Sequence, residues 1–228
     1  MKRWLIIWLG AICMTALPAG AADLGKTLVA LDGSKVAIEE TVFGDFVADA
    51  VRNAGEADAA ILHAMAFRSN ALIPVGVVDE QALRNSLASP SSRIAILKLT
   101  PAQLRNVMQR SLTKYPNPNM AFLQFSGMRV TFNDANPPAA RVATITIGEK
   151  KLDLTDNKTQ FTVAMPRELA LGAVGYVLDF TDQVTKTMTV TEITVLDAIA
   201  REFERNKGEI EPKLDERLKN INPKKPEK

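Results

Sequence analysis

One α+β domain, a single layered unit of mixed β-sheet packed with α-helices, is predicted from the 228 residues on three observations. Short apolar runs of strand length recur along the whole chain, two segments carry apolar residues at three- and four-residue spacing behind good helix starts, and no repeat or linker separates them. Taken in order, Thr27–Leu31, the turn Asp32-Gly33 and Lys35–Ile38 predict a hairpin. Val42, Phe43, Phe46, Val47, Ala50 and Val51 predict an amphipathic helix over 41–53 that Gly55 ends. Ala59–His63 predicts a short buried strand, Asp79–Ser86 a short helix and Arg93–Leu99 another strand. Thr100, Pro101 and Gln103 supply an N-cap, a first-turn proline and a capping box. That helix runs to about Thr113, with Leu104, Met108 and Leu112 facing the core, and Tyr115-Pro-Asn-Pro-Asn119 breaks it. Strands are predicted near 121–125, 127–133, 141–147 and 160–165, and a last helix near 192–206 buries Ile193, Leu196, Ile199, Ala200 and Phe203. Most methionines beyond the first segment are expected to fill the core.

The first 22 residues are expected to be a Sec-type signal peptide, followed by one domain over 23–222 and a solvated tail, 223–228. Lys2 and Arg3 precede an apolar run from Trp4 to Leu17 and a small-residue exit ending Ala21-Ala22. The run is shorter than the ~20 residues a membrane span needs, so no stable insertion is expected after cleavage. The expected location is periplasmic or secreted. Cleavage removes Cys13, the only cysteine, so no disulfide, thiol nucleophile or cysteine-bound metal is expected. Without Lys2 and Arg3 the 28 basic residues become 26, equal to the 26 acidic ones, and nucleic acid is not an expected partner.

Several phrases carry a resemblance. Phe122-Leu-Gln-Phe-Ser-Gly-Met-Arg129 and Phe161-Thr-Val-Ala-Met-Pro-Arg-Glu-Leu-Ala-Leu-Gly-Ala-Val-Gly-Tyr176 look like core strands of the C-terminal, substrate-binding domain of 5′-nucleotidases. Glu40-Thr-Val-Phe-Gly44 with Asp49-Ala50, Ile73-Pro-Val-Gly76, Leu97–Leu104 and Asn206–Asp215 resemble further segments of that family, in order from about Val36 to Ile221. The resemblance implies a 5′-nucleotidase C-terminal-like fold without the metallophosphoesterase domain that carries the family's chemistry.

Departures fall where the family holds its ligand. Its Asn-Gly-Gly-Gly-Ile-Arg loop reads His63-Ala-Met-Ala-Phe-Arg68, so Arg68 remains while side chains replace three glycines. The two phenylalanines that clamp a nucleobase correspond to Pro90 and Glu168, a base-contacting Asn to Ser92, and a ribose-binding Asp to Val174. Each base–aromatic stack is worth roughly 1–3 kcal/mol, so nucleotide binding in the family's manner is not expected. The candidate ligand-binding residues are His63, Arg68, Glu168, Gly172 and Tyr176. Each has a bland alternative: a core histidine, an internal ion pair of Arg68 with Glu40 or Glu168, and a structural turn at Gly172–Tyr176. If a ligand cleft persists, Arg68, Glu168 and Tyr176 should line one concavity.

Catalytic chemistry is constrained by the single histidine. A His-rich binuclear site is excluded, no Gly-x-Ser-x-Gly elbow is present, and the acidic residues read as scattered singly, with Glu39-Glu40 as a helix start. No catalytic residue, metal or cofactor is expected. The chain reads as an exported, non-catalytic binding or interaction module whose partner is a small anionic ligand or a separate protein. The alternatives are an accessory subunit completing the cleft of a separate metallophosphoesterase, and an enzyme of unrelated chemistry using Arg68, Glu168 and His63.

Overall fold

The computed structural model describes residues 22–222; the segment read as a signal peptide, up to residue 21, and the tail 223–228 lie outside the described residues. The first half of the chain forms β1 (Asp23–Thr27), β2 (Leu31–Asp32), α1 (Val42–Ala54), β3 (Ala59–His63), β4 (Leu72–Ile73), β5 (Gly76–Asp79), α2 (Glu80–Ser86), β6 (Arg93–Leu99) and α3 (Pro101–Ser111). The second half forms β7 (Leu123–Ser126), β8 (Met128–Phe132), β9 (Val142–Ile147), β10 (Lys150–Lys151), β11 (Phe161–Pro166), α4 (Arg167–Ala170), α5 (Val177–Thr187), β12 (Thr189–Thr194), α6 (Val195–Arg205), β13 (Glu209–Ile210) and β14 (Leu218–Asn220). None of the described helices is long and apolar enough to cross a membrane.

The α+β architecture expected from the sequence is present. A central sheet has the order β12-β6-β11-β3-β7, with β11 and β3 parallel and its other neighbours antiparallel. A second sheet, β10-β9-β8-β14, ends in a parallel pairing of β14 on β8. A third, β13-β1-β5, and the pair β2-β4 complete the sheets.

α1 begins where Thr41 accepts a hydrogen bond from the Gly44 amide, and it buries Phe43, Phe46, Val47, Ala50 and Val51 against β3, β7 and α6. Edge-to-face ring pairs link it onward, Phe43 to Phe67 and Phe46 to Phe203. Its entry is pinned by buried Gln124, whose Oε1 accepts from the Thr41 amide (3.1 Å) and whose Nε2 donates to the Val36 and Glu39 carbonyls (3.0 and 2.7 Å). Gly44 permits this contact, since a Cβ there would sit 2.2 Å from Gln124 Oε1. α3 carries the predicted capping box, and Leu104, Met108 and Leu112 are fully buried.

Three sequence readings need correction, and one helix went unread. No hairpin joins 27–31 to 35–38: β1 pairs with β13 and β5, and β2 pairs with β4, so these strands find partners distant in sequence. The helix expected at 192–206 starts at Val195, because 189–194 extend β6 as β12. α5 had no sequence reading; its Val- and Thr-rich stretch is anchored by fully buried Phe180. Core filling holds for Met108, Met128 and Met165, whereas Met65 and Met120 are exposed.

Candidate functional site

β3 delivers His63 to the end of the central sheet, where one turn of 3-10 helix (Ala64–Ala66) carries the chain away. His63 is 4% exposed, and neither ring nitrogen has a hydrogen-bond partner. Burial lowers its pKa, against an opposing pull from its own backbone and from the Glu168 charge. The imidazole is therefore neutral in the folded protein at pH 7. This neutrality makes stability depend on pH. Because the folded pKa lies below the unfolded one, the unfolded chain binds the extra proton first, and stability drops as pH falls below about 6.5. His63→Gln is expected to reduce the loss of thermal stability between about pH 7.5 and pH 5.5, read as a smaller change in Tm. An unchanged pH profile would contradict a buried, neutral His63.

Glu168 stands in the first turn of α4, and its carboxylate accepts a hydrogen bond from Ser92 Oγ. His63 and Glu168 line one recess of about 60 Å³ together with Leu62, Met65, Leu87 and Pro166. Arg68 lies beyond the turn, in a separate recess of about 110 Å³ with Ser34 and Asn70. Its Nε donates to the Leu87 carbonyl (3.1 Å), and among the described residues it pairs with no carboxylate, neither Glu40 nor Glu168.

Tyr176 does not join either recess. It is fully buried, its hydroxyl donates to the Ala121 carbonyl (2.7 Å), its ring stacks on Phe180, and the Arg110 guanidinium covers it at 5.7 Å. Burial raises its pKa. Gly172 turns the chain at φ 97°, and a Cβ there would lie 2.5 Å from the Val177 Cα. The single concavity expected for Arg68, Glu168 and Tyr176 is thus not formed. The Ala64–Ala66 turn separates the first two, and the α4–α5 turn folds the tyrosine into the core.

Sequence reasoning also missed an ionic cluster. Arg217, 9% exposed, donates from Nη2 to Asp49 (2.7 Å), from Nε to Asp215 (2.8 Å) and from Nη1 to the Phe125 carbonyl (3.0 Å). Asp45, fully enclosed beneath it, has a pKa pushed up to about 9, chiefly by burial, with Arg217 pulling it down and Glu40 pushing it up. The acids read as scattered are therefore gathered by the fold. The signal was present in the 40–49 segment, where Glu40, Asp45 and Asp49 lie four to five residues apart, but their partner is 168 residues further on.

The fold is a helix-covered mixed sheet with recesses at the end of a central strand, and comparison with known proteins assigns its family. The family "5′-nucleotidase, C-terminal domain" matches residues 22–180, more than half of the chain, and the protein belongs to that family. Among solved structures, a 5′-nucleotidase precursor from Thermus thermophilus superposes with a TM-score of 0.76 at 18% identity, over 89% of this chain and 40% of the other. The NAD nucleotidase of Haemophilus influenzae gives 0.74 at 15%, over 90% and 39%. A putative 5′-nucleotidase from Staphylococcus aureus, solved with alpha-ketoglutarate, gives 0.69 at 15%, over 87% and 40%. At these identities the likeness is one of fold, and the chain spans about two fifths of each of these proteins. No curated protein matches it.

Proposed function

We propose that the protein is an exported, non-catalytic binding or interaction module of the 5′-nucleotidase C-terminal family that has given up nucleotide binding. One observation carries this reading: Ser92 and Glu168, at the positions that resemble the family's base-contacting Asn and one of its clamp rings, hydrogen-bond to each other. The recess beside them, about 60 Å³, is well below the ~300 Å³ at which small-molecule sites begin. Pro90 offers no second ring, and its carbonyl accepts from the Leu196 amide at the start of α6.

The test is a thermal-shift panel on the purified protein with nucleosides, nucleotides, sugar phosphates and dicarboxylates. A ligand at 100 times its Kd adds about 2.7 kcal/mol, several degrees for a domain of this size. No shift is expected with any nucleoside or nucleotide; a shift with another anion would identify the bound class, and one with a nucleotide would sink the reading.

A second reading rests on a different observation. Leu171, Val177 and Leu178 are 46%, 51% and 83% exposed around the α4–α5 turn. In this reading they dock on a separately encoded metallophosphoesterase and help to complete its cleft. Addition of the purified protein should then raise the turnover of such an enzyme, and Leu178→Asp should abolish the increase.

A further inference from the structure

His63 stands in its recess with nothing to bind: it is 4% exposed, and neither ring nitrogen has a hydrogen-bond partner. An unpaired buried polar group is costly, so the recess calls for a ligand that takes an imidazole nitrogen. Two more donor side chains line it. Glu168 offers a carboxylate of which Ser92 Oγ engages only Oε2, and its charge is close enough to act on the imidazole. Met65, two residues beyond His63 on the 3-10 turn, offers a thioether. It is 47% exposed, and Met120, at 53%, lies beside it across a 3.3 Å backbone hydrogen bond. Methionines so exposed do not fill a core, and their thioethers are soft metal ligands. At about 60 Å³ the recess admits a few waters or a hydrated ion, not an organic ligand.

We propose that His63, Glu168 and Met65 form a mononuclear copper site at the end of β3. Neutral imidazole is the form that binds a metal, and burial keeps His63 neutral. The mixed donor set selects the ion. Imidazole suits copper, zinc, iron and nickel, the thioether narrows these to copper as Cu(I), and Cu²⁺ heads the divalent affinity order. Ca²⁺ and Mg²⁺ take oxygen ligands and do not fit an imidazole and a thioether. The single histidine excludes a His-rich binuclear centre but not a site with one imidazole. β3 fixes that imidazole in the core, while Glu168, in the first turn of α4, and Met65 are exposed side chains that can turn in over the ion. The site rests on the reading of the chain as a binding module and names a ligand for it. Nucleotide and copper are titrated separately, so either result can fail without the other.

The experiment uses the purified protein without a histidine tag. Cu(I) is titrated anaerobically against a chromophoric chelator, and Cu²⁺ and Zn²⁺ are titrated by calorimetry. One copper per chain is expected, bound more tightly than Zn²⁺. Because His63 is the only histidine, an imidazole nitrogen signal in the pulsed EPR spectrum of the Cu²⁺ form can come from no other residue. His63→Gln should remove that signal and weaken copper binding at least about tenfold. Met65→Leu should weaken Cu(I) more than Cu²⁺, and Glu168→Gln the reverse. Should His63→Gln fail to fold, Met65→Leu, at an exposed position, decides the matter through the Cu(I) titration. The proposal is overturned by an absence of copper binding, by Zn²⁺ bound as tightly as copper, by Cu²⁺ bound without the imidazole signal, or by copper affinity that survives in the variants.

Discussion

Arg217→Ala is expected to destabilise the protein by about 3–5 kcal/mol, the usual cost of removing one partner from a buried ion pair. The guanidinium is held by Asp49, Asp215 and the Phe125 carbonyl, so its removal takes a charged donor from each, leaving Asp49 with Ser126 Oγ and Asp215 with Arg129. Asp45 loses the one cation within 4 Å of it among the described residues. At 2–4 °C per kcal/mol for a domain of this size, Tm should fall by roughly 10 °C. Arg129→Ala is the matched control. Its pair with Asp215 is about half exposed on both sides, and exposed pairs contribute no more than about 1 kcal/mol. Urea unfolding of the two variants checks the contrast; equal losses would show that Arg217 is not the hub of the cluster.

Gly172→Ala should be the next most damaging change, costing at least about 2 kcal/mol. The residue turns the chain at φ 97°, where an L side chain is strained, and the added Cβ would press on the Val177 Cα at 2.5 Å. Backbone lies on the far side of that contact, so no rotamer change relieves it. The residues beyond the turn make the effect large: Tyr176 and Phe180, both fully buried and stacked on each other, are positioned by it. The sequence marks Gly172 as a candidate ligand residue with a structural alternative, and the variant separates the two roles. A loss of thermal stability with no ligand present supports the turn; full stability would leave the ligand role standing.

Elements with a local signal were the legible ones. α1, α3, β3 and β6 carry apolar period and caps within a dozen residues, and each lies within a residue or two of its predicted bounds. Readings went astray where the deciding partner is distant. Asp32-Gly33 does turn, with Asp32 Oδ1 accepting from the Ser34 amide, but the strand before it pairs with 72–73 and not with 35–38. The segment after Ile210 reads as part of the domain but with no element of its own, yet it inserts Arg217 into the core and pairs Leu218–Asn220 with β8.

The site was legible in the same uneven way. His63 and Glu168 are both candidates from the sequence, but the concavity it predicts is that of Arg68, Glu168 and Tyr176; His63 and Glu168 are 105 positions apart and meet through the adjacency of β3 and β11. Tyr176 could be assigned from sequence either to a cleft or to the core, and its hydroxyl chose the Ala121 carbonyl. The spacing of Glu40, Asp45 and Asp49 is visible in the sequence, but an acid on a helix face reads as solvated until the chain end covers it, and that cover comes from Arg217.

Equilibrium titration calorimetry of AMP and of adenosine into the purified protein tests the central claim most directly. The contact between Ser92 and Glu168 and the small recess beside it predict no saturable heat with either compound. Saturable binding of either that Glu168→Ala weakens would contradict the account, and would return the domain to the nucleotide binders of its family.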